Sequence, residues 1–160
     1  MVISTHSVVG GVTAGVLTGV PFLGFLVGIL THYILDYFPH WDYRLRTTHG
    51  EAMNAKNLYF DLTRLILDAF LALVFLSIVF WFGSLSLIVV LSGALGGILP
   101  DIFQLIYKKI IKTEPFESFQ KIHDFFHTSN KIQPLKGILV QVFLILFFVF
   151  LGLSFPSPVV

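Results

Sequence analysis

The segment HYILDYFPHWD, residues 32–42, holds two histidines and two aspartates around a proline. Imidazole and carboxylate are the ligands that suit zinc, manganese or iron. His32 and Asp36 are four apart, so on a helix both project from one face. His40 and Asp42 follow Pro39 and can turn back toward the same centre. His123 and His127 repeat the four-residue spacing within HDFFH. Asp101 follows Pro100 inside an apolar run, where an acid is costly and usually functional. His6 stands close to the start of the sequence. These eight groups exceed the four ligands of a closed zinc site. The surplus fits two ions, or one ion whose histidines are oriented by further carboxylates. Two ions about 4 Å apart would activate water and clamp a phosphate during a displacement. Cysteine is absent, so neither disulfides nor thiolate ligands enter.

The elements that must position these groups are helical and apolar. The chain has 160 residues, 56% of them hydrophobic and only 12% charged, with 18 phenylalanines. A soluble domain carries about 25% charged residues. Runs at 62–82, 85–99 and 138–155 approach or exceed the roughly 20 apolar residues that cross a bilayer. We therefore expect one all-α, polytopic membrane domain over residues 1–160. Its helices are expected at about 5–17, 21–37, 58–82, 85–109, 115–127 and 135–153. The first two carry glycines every four residues (Gly11, Gly15, Gly19; Gly24, Gly28), which allows close approach as a tight hairpin. Pro21 suits a first helical turn, and Pro39 ends the second helix. Pro100 is expected to kink or break the fourth helix near Leu99.

The segment at 115–127 is amphipathic. Phe116, Phe119, Ile122, His123 and Phe126 share one face, opposite Glu117, Lys121 and Asp124. Thr113 is the expected N-cap, and the helix is expected to lie on the bilayer surface. No Lys or Arg precedes Arg44, so the start does not read as a secretory signal.

Folding this string back and forth puts all ten Lys and Arg residues on one side. Arg44, Arg46, Lys56 and Arg64 fall in or near one loop. Lys108, Lys109, Lys112, Lys121, Lys131 and Lys136 fall in or near the other. Positive loops face the cytoplasm, which places the chain in the cytoplasmic (inner) membrane with that side inward. All six histidines reach the same side. Nothing resembles a nucleic-acid footprint.

Each feature also has an ordinary explanation. A His–Asp pair at a helix end makes interfacial hydrogen bonds. His123 and His127 ride an amphipathic helix, and Asp101 caps a helix restarting after its proline. Asp61, Arg64 and Asp68 read as an ion pair on a helix face, and His49 reads as a bystander. Independent explanations do not require all the histidines and acids on one face, and that coincidence favours a metal centre.

The stretches THSVVGG, HYILDYFPHWD and GALGGILPDI together resemble the YdjM-like group of small inner-membrane proteins, regarded as metal-dependent hydrolases. The resemblance covers most of the chain. It implies metal-site positions at His6, His32, Asp36, His40, Asp42 and Asp101. Family members often carry Pro-Asp-Ile-Asp, whereas here Phe103 follows Pro100-Asp101-Ile102; the PHWD segment can supply the second acid. The His-rich helical arrangement also resembles zinc-dependent phospholipase C and its nuclease relatives.

The expected activity is hydrolysis of an ester or phosphoester of a lipid or lipid-linked substrate, with metal-activated water at the cytoplasmic interface. The metal ligands would be His6, His32, Asp36, His40, Asp101, His123 and His127, holding one or two divalent ions. Zinc is the first choice, with manganese or iron as alternatives. Asp42 or Asp124 would serve as general base, and Arg44 and Arg46 would steady a phosphate. The rivals are a membrane di-iron oxidase, a metal transporter or sensor, and an adaptor without chemistry.

Overall fold

A computed structural model describes residues 1–48, 54–127 and 132–158 of the chain. Among these residues there are six α-helices and no strands: α1 Ile3–Leu17, α2 Pro21–Tyr37, α3 Ala55–Phe82, α4 Leu87–Lys109, α5 Phe116–Phe126 and α6 Pro134–Ser154. A short 3₁₀ turn covers Arg46–Thr48. Helices α3, α4 and α6 are long and apolar enough to cross a membrane; α1 and α2 are apolar but shorter. His49, expected to be a bystander, and Lys131 lie outside the described residues.

Local chemistry explains the boundaries. Pro21 and Pro134 open α2 and α6 in the first turn, where a missing N–H costs nothing. Phe38, before Pro39, is extended and stops α2. Helix α3 begins three residues earlier than expected because the Asn54 side chain accepts a hydrogen bond from Asn57 N at 2.9 Å. Thr113 is not the cap of α5: Pro115 holds that position, and Glu114 accepts from the Ser118 backbone and hydroxyl. Nor does Pro100 break α4, which runs through it. A helix interior tolerates the lost donor when neighbours hold the segment, and here α1 and α2 flank it.

The glycines do more than close a hairpin. Helices α1 and α2 both pack most extensively against α4. A Cβ on Gly10 would meet the Gly93 carbonyl at 2.8 Å, and one on Gly97 would meet the His6 carbonyl at 2.5 Å. On Gly28 it would run into the Gly93 backbone. Backbone against backbone is the packing that small residues permit between membrane helices. The three helices form a tight trio, and α3 and α6 complete the core through Val8, Val12, Val79, Val90, Ile145 and Val149. Large apolar side chains such as Ile66, Phe70, Trp81 and Phe143 stay on the outside. A water-facing surface rarely carries so much contiguous apolar area; a bilayer accepts it.

The three charged residues early in α3 do not form the expected ion pair. Asp68 instead accepts from the backbone N–H groups of Ile3 at 2.7 Å and Ser4 at 3.2 Å, and from the Tyr43 hydroxyl at 3.1 Å. It satisfies orphan donors at the start of α1, where a carboxylate is also favoured by the helix dipole. Asp61 does the same for the 3₁₀ turn, accepting from Arg46 N and Thr47 N, both at 2.8 Å. Arg64 donates to the Arg44 carbonyl and stacks on Phe60.

Candidate metal centre

The trio sets the first ligands. One turn below its glycine contacts, α1 offers His6, α2 offers His32 and Asp36, and α4 offers Asp101. Helix α5 then lays His123 and His127 over them, and the segment after Pro39 folds back with His40 and Asp42. His6 and His32 stack with ring centroids 4.0 Å apart. His32 lies 5.5 Å from His123, His123 is 5.3 Å from His127, and His127 is 4.8 Å from His40. The five histidines make one continuous cluster.

Asp36 is its centre. It is 1% exposed, and four imidazoles turn Nε2 toward it. His6 and His32 approach at 3.2 Å, His40 at 3.8 Å and His123 at 3.9 Å. Asp101 closes the set, 3.9 Å from His32 Nε2 and 4.0 Å from His6 Nε2. Donors about 2 Å from a shared tetrahedral ion lie about 3.3 Å from one another, close to the shorter of these spacings. The amino group of Met1 reaches in too, 2.7 Å from Asp36 Oδ1 and 3.2 Å from Asp42 Oδ1.

The polar atoms at the centre are buried and lack hydrogen bonds. Both nitrogens of His6, Nε2 of His32, Oδ2 of Asp36 and Nδ1 of His123 have none. A buried polar atom left unpaired costs about 1–3 kcal/mol, so several together need a reason. An ion held among them would supply it. The tautomers are arranged to suit: His32 Nδ1 donates to the Gly97 carbonyl at 2.7 Å, and His40 Nδ1 donates to the Phe38 carbonyl at 2.8 Å. In His32 the Nε2 lone pair is then left facing the cluster, the role that backbone carbonyls play behind metal-binding histidines. Burial pushes the His123 imidazole down to about 3, which keeps it neutral, as a ligand must be.

Two sets could each hold an ion. One is His32, Asp36, Asp101 and His123; the other is Asp36, His40 and His127. The ligand atoms within each set lie within 4.8 Å of one another, and Asp36 belongs to both. A carboxylate with two oxygens can bridge two ions. Asp42 borders the second set, with Oδ2 3.2 Å from His40 Nε2 and 3.6 Å from His127 Nε2. Burial alone would raise its carboxyl, but bonds to His127 and His40 and the nearby amino group hold it well below the usual carboxylate range. That same bond to Asp42 raises His127 above its ordinary value.

The expected site residues divide accordingly. His6, His32, Asp36, His40, Asp101, His123 and His127 all reach the cluster. Asp42 lies at its edge and lines a cavity of about 740 Å³ together with Asp124 and Arg44. Asp124 is further from the cluster's centre and accepts from Gln120 at 2.6 Å. Arg46 does not face the cavity; its guanidinium lies 3.8 Å above the Phe60 ring. Sequence reasoning passed over Lys108, which lines the cavity, and Gly97, whose carbonyl orients His32. Lys108 read as one of a cluster of positive loop residues, and no sequence signal marks a backbone carbonyl. No protein-family model matches the chain, and no curated protein or solved structure matches it.

Proposed function

We propose that this chain is a membrane-embedded, metal-dependent hydrolase acting on an ester or phosphoester of a lipid or lipid-linked substrate. The observation that carries the reading is the convergence of buried imidazoles on Asp36 beside an open, acid-lined cavity. Zinc suits the nitrogen and oxygen donors, with manganese or iron as alternatives. A divalent ion, when bound, supplies a Lewis acid for a phosphoryl or acyl oxygen and lowers the pKa of water to about 7.

The chain's own groups do the rest. Asp36, with His6 behind it, fixes the relative positions of the two ligand sets. Asp42, kept ionised, can accept a hydrogen bond at the cavity wall, and its low proton affinity leaves the general-base role to Asp124. Asp124 borders the same cavity as a second acceptor. Arg44 and Lys108 place positive charge where a phosphate would lie. The buried side of the cluster excludes water, while Asp42, Asp101 and His127, each about a quarter exposed, face the opening.

We further propose that α3, α4 and α6 span the cytoplasmic membrane, with α1 and α2 as a Gly-rich hairpin against them and α5 along the interface. The loops rich in Lys and Arg would put the cluster on the cytoplasmic side. The inner face of α5 holds Gln120 and His123, and its outer face exposes Ile122 and Phe125, as a helix between site and bilayer should. The resemblance of THSVVGG, HYILDYFPHWD and GALGGILPDI to the YdjM-like group supports the hydrolase reading.

Elemental analysis of purified protein beside a His32→Ala, Asp36→Ala double variant tests the centre. Stoichiometric zinc, manganese or iron in the parent and none in the variant is expected, followed by phosphoesterase activity. Equal, trace metal in both sinks the proposal. The shared Asp36 also suits a di-iron oxidase; iron content together with oxygen consumption separates the two.

A further inference from the structure

Helices α3 and α4 follow one another in the chain yet make almost no direct contact. The cavity of about 740 Å³ lies between them, within the roughly 300–1,000 Å³ of pockets that enclose whole ligands. Its two ends differ. At one it meets the cluster at Asp42, Asp101 and His127, and Arg44 and Lys108, the latter two turns beyond Asp101 on α4, also line it. Along its length the walls are apolar: Leu65, Ile66 and Ala69 on α3 face Ile98, Ile102 and Leu105 on α4. Ile66 is 64% exposed and Ile102 42%, so the apolar stretch opens sideways on the outer surface of the bundle. Both helices are of membrane-crossing length and composition there.

A free phosphate would fill only the polar end and leave the apolar walls uncovered. A hydrocarbon chain covers them, and burying apolar against apolar is the dominant favourable term in such sites. The two cations complement an anionic head. We propose that the slot between α3 and α4 takes the hydrocarbon chain of an anionic phosphoester lipid, which enters sideways from the bilayer with its head group between Arg44, Lys108 and the His/Asp cluster. The substrate class rests on the hydrolase reading; the binding site does not. Ala69 is the narrow point of leverage, because a large side chain there fills the slot from one wall without entering the core.

Photocrosslinking tests the slot. The metal-loaded protein is reconstituted with phosphatidic acid carrying a diazirine in its acyl chain, and labelled residues are mapped by mass spectrometry. Labelling concentrated at Ile66, Ala69 and Ile102 is expected, falling about tenfold in Ala69→Trp, the loss that corresponds to 1.4 kcal/mol. Ile98→Trp, on the facing wall, should give the same loss; Leu73→Trp, further along α3, should leave labelling unchanged. Diacylglycerol with the same diazirine should label less, and Arg44→Gln with Lys108→Gln should erase that preference. Labelling spread evenly over the outer faces of α3 and α6, indifferent to Ala69→Trp, is that of surrounding lipid and overturns the proposal. So does inorganic phosphate binding to a protein that captures no lipid.

Turnover separates this inference from the hydrolase reading. Ala69→Trp should lower the ratio of long-chain to short, water-soluble phosphoester hydrolysis about tenfold. A protein that captures lipid in the slot but hydrolyses neither ester loses the enzyme and keeps the slot. One that hydrolyses the soluble ester and captures no lipid loses the slot and keeps the enzyme.

Discussion

Helix α4 has two very different neighbours. On one side α1 and α2 press against it with glycine backbones in contact; on the other α3 stands off and leaves a cavity. The tight side carries His6, His32, Asp36 and Asp101, the groups whose spacing must be held to a few tenths of an ångström for an ion. The loose side carries branched aliphatic walls that tolerate variation. Precision and access are therefore divided between opposite faces of one helix, and the cluster sits where the two faces meet.

The comparison is broken most severely on the tight side. Gly28→Leu places a side chain against the Gly93 backbone, which has no rotamer to yield. We expect it to cost more than the about 1–3 kcal/mol of ordinary overpacking and to abolish metal binding, measured by thermal unfolding in detergent with elemental analysis. Next come the ligands themselves. Asp36→Ala should lose all bound metal, because both sets share that carboxylate. Asp42→Asn, which alters a neighbour of the second set, should weaken affinity about 10–100-fold in a chelator competition while metal is still taken up at saturation.

Metal removal should act on stability as well as on activity. Ion present at about a hundred times its Kd stabilises a fold by about 2.7 kcal/mol. Chelation should therefore lower the melting temperature of the parent and leave that of Asp36→Ala unmoved. The metal-free protein should also respond to pH. His123 is held near 3 by burial, against about 6.5 in an unfolded chain. Between those values the unfolded chain binds a proton that the folded one refuses, so stability falls as pH drops from about 6.5 toward 3. His127 has the opposite sign: its raised value adds stability at low pH that is lost as pH rises through it. His123→Asn should flatten the acid limb of a stability profile, and an unchanged slope contradicts this assignment.

The smallest effect belongs to the loose side. Ala69→Trp changes a half-buried wall of an open cavity, so its cost in stability should stay within about ±0.5 kcal/mol. A melting temperature as low as that of Gly28→Leu would mean that the two faces of α4 are not differently packed after all.

Much of this was legible in the chain because of scarcity. Histidines and aspartates are conspicuous in apolar surroundings, and spacing by four marked the pairs that share a helix face. Helix ends could be read where proline decides them, as at Pro21 and Pro39. The reading failed where a residue serves a distant segment. Asp61 and Asp68 looked like partners for Arg64, but they satisfy backbone donors of the 3₁₀ turn and of α1, which sequence spacing does not reveal. The break expected at Pro100 did not occur, since flanking helices hold the turn together. In α5 Phe119 and Ile122 are exposed, as a face laid on a bilayer requires, but His123, read on that same face, is buried together with Gln120. The gap between α3 and α4 left no trace in the pattern at all.

Asp36 and His123 come from helices made far apart in time. A ribosome finishes α1 and α2 early, and their imidazoles and acid emerge long before α4 can close against them or α5 can cover them. Until then the half-built cradle offers too few donors to retain a cation firmly. An ion that needs donors from α2, α4 and α5 together would be held only once those helices have packed.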